Sequence, residues 1–330
     1  MKKILFYFCF LFCQTLFCQD AQFTQFDRSA LYLNPAFAGT SQQYRVGIAH
    51  RNQWIGLDAN FQTTYLGFDL NVPHIRSGFG IIGVFDQVGS ALQLHSALSG
   101  IYSFYVPFRS WQMRLGVQAG VGNRYLNSES LVFTSQVLDN EPDVFEGGAS
   151  ASKTYFDVGG GVLFFNQNFW IGASFHHLNR PNYSLYKSTI SDLPIKMSVQ
   201  MGANWQIRTP TGSIFVLPAF LYKQQGAAQQ FEASLRMAFE GFPIVGGISY
   251  RGIPFKQNFG YISQDAFNFM AIFQTERFSV GYSYDWTISQ LAPYSGGSHE
   301  ISLEFLWQTI RYNPRDIVCP TFMKTKKTRR

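Results

Sequence analysis

Charge, long apolar runs and cysteine are what this sequence of 330 residues has least of. Asp, Glu, Lys and Arg make up only 14% of it, well below the quarter usual in soluble domains, which argues against an ordinary cytosolic enzyme. After the first twenty residues no apolar run reaches the roughly 18 residues that a membrane-crossing helix needs, so a helical membrane protein is excluded. Of four cysteines, Cys9, Cys13 and Cys18 lie in the N-terminal stretch, leaving only Cys319 and no internal disulfide in the remainder. No His and Asp pattern accompanies Cys319, so it reads as an inert thiol.

What the sequence does have is aromatic mass. Its 34 Phe and 17 Tyr rule out disorder. Lys2 and Lys3, the apolar stretch from Ile4 to Phe12, and Cys18 before Gln19-Asp20 read as an export signal over residues 1–18. Bulky Phe17 weakens a lipoprotein reading of Cys18. Without Lys2, Lys3 and the five cations from Lys324 to Arg330, the formal charge falls from +6 to −1. The body therefore lacks the clustered Lys and Arg of a nucleic-acid face.

Alternation of period two dominates the rest. Phe278, Val280, Tyr282, Tyr284 and Trp286 share one face, opposed by Ser279, Gly281, Ser283 and Asp285. Such segments fall near 42–51, 60–70, 76–87, 91–105, 110–125, 153–165, 168–177, 194–207, 212–221, 226–239, 242–252, 265–274, 277–288 and 298–310. The prediction is an all-β fold: a transmembrane antiparallel β-barrel of about 14 strands, of the outer-membrane type, in contact with lipid. Gaps after the even strands are tight, while 126–152 and 178–193 are long, matching periplasmic turns and extracellular loops. The expected organisation is a barrel over 42–310, between periplasmic segments 19–41 and 311–330. A soluble β-sandwich would put many Lys and Glu on its polar face, where this chain has Gly, Ser, Gln and Asn.

Motifs of soluble enzymes fail on context. Gly78-Phe79-Gly80-Ile81-Ile82-Gly83 fits the dinucleotide fingerprint, but lies inside an alternating strand, where small residues make room in a barrel. Gly159-Gly160-Gly161 reads likewise as packing or a bulge. His299-Glu300 lacks the second histidine of a helical zinc site, and His176-His177 point to opposite faces of a strand. Neither a catalytic constellation nor a cofactor pattern emerges.

Parity places Arg45, Arg51, Arg114, Lys196 and Arg236 inside, with Glu232, Asp285, Glu300 and Glu304. Mixed signs favour pairing that fills a lumen over the single-sign rings of a selective pore. Closure sets the first strand beside the last, so Arg51 is expected to pair with Glu300 or Asp285 and lock the seam.

Several strings resemble the PorP/SprF family of type IX secretion and gliding-motility proteins. They are Gln19-Asp20-Ala21-Gln22-Phe23, the run from Leu31 to Gly39 around Asn34-Pro35, Arg51-Asn52-Gln53-Trp54, Tyr284-Asp285-Trp286, Gly296-Gly297-Ser298-His299-Glu300, and Cys319-Pro320-Thr321-Phe322. The resemblance implies an outer-membrane barrel of Bacteroidota that works with a periplasmic ring of the PorK/PorN type. It further implies export or anchoring of secreted cargo, such as adhesins with a type B C-terminal signal. The motif positions are Asn34, Pro35, Arg51, Asn52, Gln53, Trp54, Asp285, His299, Glu300, Cys319 and Pro320, without assigned roles. A passive channel or hydrophobic-substrate transporter of the same architecture is the alternative.

Overall fold

The computed structural model describes residues 19–41, 44–58, 60–89, 93–126, 152–185, 190–210, 212–258, 261–307, 317 and 319–320. The segment 1–18 expected as an export signal, most of the long loop 126–152 and most of 311–330 lie outside these. The strands are β1 (Tyr44–Gln53), β2 (Phe61–Val72), β3 (Ser77–Val88), β4 (Gln93–Phe108), β5 (Trp111–Leu126), β6 (Ser152–Phe165), β7 (Phe169–His176) and β8 (Lys196–Ala203). They continue as β9 (Trp205–Thr209), β10 (Gly212–Gln225), β11 (Ala228–Phe239), β12 (Ile244–Asn258), β13 (Tyr261–Gln274), β14 (Phe278–Thr287) and β15 (Ser298–Trp307).

Each strand pairs antiparallel with its neighbours, and β1 with β15, so the sheet closes on itself. Closure leaves no edge for hydrocarbon to strand without partners. The segment expected as one strand over 194–207 breaks at Asn204, whose N–H turns to the Asn168 carbonyl at 2.7 Å. Both pieces pair with β10, so β8 and β9 together form one wall position and the barrel has 14 strands. A register shift between Arg251 and Gly252 lets β12 run on to Asn258, and β13 starts at Tyr261, earlier than alternation indicated.

The period of two sets which side each residue faces. On β14, Phe278, Val280, Tyr282 and Trp286 are exposed outward, where lipid covers them, while Ser279, Ser283 and Asp285 are buried inside.

Residues 19–41 are the main departure from expectation. The segment is folded into the lumen instead of extending below it. Phe23, Phe26, Leu31, Leu33 and Phe37 are all buried, packed with wall residues that include Tyr65, Ile82, Leu163 and Trp170. Burying each large apolar side chain gains roughly 1.5–3 kcal/mol, which a segment dissolved in the periplasm would forgo. One helical turn, Ala30–Leu33, precedes a 3-10 turn, Pro35–Phe37. Pro35 is preorganised for the first position of that turn, and the Asn34 side chain caps it by accepting from Ala36 N at 2.9 Å.

Wall glycines admit this plug. A Cβ on Gly116 would lie 2.3 Å from Ala36 N, and one on Gly161 2.1 Å from the Asn34 side-chain oxygen. Gly78 of the fingerprint-like string faces Ala38 O, at 2.3 Å from a built Cβ. Gly78 and Gly161 therefore make room for the plug.

Candidate functional site

The plug meets the wall through three polar clusters. The first is built on the seam. Arg51 of β1 lies opposite Glu300 of β15, and Asp285 enters from β14. The Arg51 guanidinium donates to Asp285 Oδ2 at 2.6 Å and to Glu300 Oε2 at 3.4 Å. Arg251 of β12 donates to the same Asp285 oxygen at 2.5 Å and to Asp265 at 2.6 Å. Glu300 also accepts the backbone N–H groups of Thr24 and Gln25, at 2.6 and 2.9 Å. Arg51, Asp285, Glu300 and Thr24 are each at most 1% exposed. Charges so dehydrated persist only when paired and hydrogen-bonded, so the cluster holds five wall strands, β12 to β15 and β1, and the plug together.

At the long-loop rim, Asp20 receives Lys196 Nζ at 2.5 Å, His177 Nε2 at 3.0 Å and Gln225 Nε2 at 2.9 Å. The other His177 nitrogen lies 2.9 Å from Asp157. Only a doubly protonated ring can donate to both carboxylates. Burial pulls the His177 pKa down, but Asp20 and the bonds to both carboxylates carry it up to about 9. Burial opposes ionisation of Asp20, yet Lys196 and His177 hold it well below the usual carboxylate range. His177 has a left-handed backbone just past β7, φ 59°, which places its ring in the lumen beside buried His176. Strict strand alternation, which set the two rings on opposite faces, ends one residue too early for His177.

The third cluster lies toward the tight-turn rim. Arg28 pairs with Glu304 at 2.6 Å, Arg236 with Asp27, and Arg45 with Asp69 at 2.6 Å. Arg114 donates to the carbonyls of Ala38 and Gly39 at 2.7 and 3.1 Å.

The motif positions divide among these places. Gln53 accepts from Arg51 Nε at 3.4 Å. Asn34 anchors the plug to β6 and β7 through the carbonyls of Val162 and Ala173, at 3.1 and 3.2 Å. Trp54 leaves β1 with φ 59° and bonds Gly297 O at 2.9 Å, tying the first loop to the last. Asn52 and His299 face each other across the seam, and the His299 ring meets Tyr282 OH at 2.7 Å. Cys319 and Pro320 are buried, with Cys319 N near Thr40 O at 3.5 Å. Alternation did not reveal Thr24, Gln25 or Asp20, because they lie outside any strand. Arg251 shares the inward parity of Val245 and Ser249 and was within reach of the same reading. Among the described residues no group of three or more His, Cys, Asp or Glu is disposed to hold a metal ion.

Residues 15–305 match the family described as type IX secretion system membrane protein PorP/SprF. No curated protein sequence matches the chain. Among solved structures, the outer membrane protein Omp33 of Acinetobacter baumannii is similar at 7% identity and a TM-score of 0.42, over 81% of this chain and 100% of that one. CdiB from Acinetobacter baumannii shares 6% identity at a TM-score of 0.44, over 80% of this chain and 60% of its own. The toluene transporter TodX of P. putida shares 10% identity at a TM-score of 0.43, over 86% and 94%.

Proposed function

We propose that this chain, which belongs to the PorP/SprF family of type IX secretion system membrane proteins, serves that machinery as a filled outer-membrane scaffold. The supporting observation is the plug: residues 19–41 bond to the wall from Asp20 at the long-loop rim to Gly39 near the tight turns. A lumen so occupied suits a docking element better than a passive channel or hydrophobic-substrate transporter. In this reading the loops 126–152 and 178–193 face the outside and hold secreted cargo, such as an adhesin with a type B C-terminal signal. The tight turns, with residues 321–330, face a PorK/PorN-type periplasmic ring, and residues 1–18 direct export and are removed. The seam cluster of Arg51, Asp285 and Glu300 keeps the scaffold closed around its plug.

Co-immunoprecipitation from cells carrying the full chain, or chains lacking 127–151 or 321–330, tests the docking reading. Recovery of cargo should fall with the first deletion and recovery of ring components with the second. Unchanged recovery in both removes it. In planar bilayers the scaffold reading expects no stable open conductance, whereas a sustained one favours the channel.

A further inference from the structure

A cavity of about 440 Å³ lies at the long-loop end of the lumen, between plug residues 19–22 and the inner wall of β2 to β6. We propose that it binds a neutral, polyhydroxylated ring compound of mono- to disaccharide size.

Its volume falls within the roughly 300–1,000 Å³ usual for small-molecule sites. Most of the charges around it are already engaged, and Arg124, which donates to Gln93 at 3.1 Å, keeps a buried Nε–H without a partner among the described residues that a hydroxyl oxygen can accept. Asp20 is paired with Lys196 and His177 at 2.5 and 3.0 Å, Asp157 with His177 at 2.9 Å, and Asp86 accepts from Thr63 at 2.5 Å. A charged ligand would have to compete with these bonds, whereas a neutral one leaves them whole. The deep wall holds Gln118, only 7% exposed, whose side-chain oxygen has no partner among the described residues. A hydrocarbon placed there would leave that buried amide dehydrated, costing about 1–3 kcal/mol, while a hydroxyl donor would satisfy it. Tyr155 and Trp54 line the same space with flat apolar faces, and Tyr155 keeps its hydroxyl bonded to His95 at 2.6 Å. Rings that are apolar on the face and polar at the rim suit a molecule with C–H faces and hydroxyl edges. The site lies inside the barrel mouth and does not depend on whether cargo docks on the loops.

The test uses the full-length protein in lipid nanodiscs prepared without glycoside detergents, whose headgroups would occupy the site. Tryptophan fluorescence is titrated with cellobiose, maltose and N,N′-diacetylchitobiose, with toluene and a neutral tetrapeptide alongside. Saturable binding of one of the disaccharides is expected, weakened about tenfold or more by Gln118→Leu. Ala97→Phe, which fills the cavity and removes no polar group, should abolish it. Should Gln118→Leu fail to fold, Ala97→Phe alone decides. The proposal is overturned if none of the three binds, if Ala97→Phe binds them as the parent does, or if only toluene or the peptide saturates.

Discussion

The Thr24 hydroxyl lies 2.9 Å from each carboxylate oxygen of Asp285, a residue 261 positions away in the chain. The same oxygen accepts from Arg51 at 2.7 Å and from Arg251 at 3.1 Å. One small side chain of the plug thus completes the coordination of three buried charges in β1, β12 and β14.

Thr24→Val keeps the shape and removes the hydroxyl, leaving two guanidinium donors and one carboxylate short of a partner. Hydrogen bonds to charged groups are worth about 1.5–3 kcal/mol, so a loss of that order is expected. Urea unfolding followed by the gel shift of the folded barrel measures it. Thr24→Ser should recover most of the loss; if Thr24→Val is as stable as the parent, the hydroxyl does not hold the cluster.

Arg51→Met should cost more, about 3–5 kcal/mol, because it leaves buried Glu300 without its cation and Asp285 with Arg251 alone. Neutralising an orphaned acid should restore part of that loss. In a double-mutant cycle with Glu300→Gln, a coupling of about 0.5–3 kcal/mol is expected. Strict additivity would show that Arg51 and Glu300 do not act together across the seam.

The wall was legible because a strand between lipid and lumen must alternate, as Phe278 to Trp286 do, and alternation needs only local sequence. The same parity carried Arg51, Asp285 and Glu300 to the inside, where they meet. The plug was not legible in that way. Phe23, Phe26, Leu31, Leu33 and Phe37 follow neither period for long, and their burial depends on a wall that is closed only at β15. What did point to the plug was indirect: a dense apolar segment in supposed periplasm, and wall glycines such as Gly78 and Gly161 leaving room for something. His177 was misplaced because its positive φ is a tertiary choice that no alternation reveals.

The glycine reading can be tested with an internal control. A Cβ at Gly116 would stand 2.3 Å from Ala36 N and 2.4 Å from Pro35 C, whereas one at Gly246 meets nothing within 4 Å. Gly116→Val should therefore push the 35–36 backbone from its seat, at an overpacking cost of about 1–3 kcal/mol. Gly246→Val should be nearly neutral. Maleimide labelling of a cysteine placed at Ala38 reports the plug directly. Equal labelling in both variants would mean that the plug does not rely on the bare wall at Gly116.

The rim cluster predicts a pH window for the top of the plug. His177 is raised to about 9, so its stabilisation is complete below its unfolded value, roughly 6.5, and is lost as pH rises through 9. Asp20 is lowered, so its stabilisation is complete above the unfolded value of roughly 3.9 and is lost as pH falls through the depressed value. Docking of residues 19–22 should thus be tightest between about pH 4 and 6.5 and should loosen toward pH 9.5. Amide exchange at Ala21 and Gln22, corrected for the intrinsic base dependence, should show protection falling over that range. His177→Gln keeps a hydrogen-bonding side chain but cannot take up the charge, so its protection should be low throughout and flat above pH 6. Protection in the parent that stays constant from pH 6 to 9.5 would separate the Asp20–His177 pair from the seating of the plug.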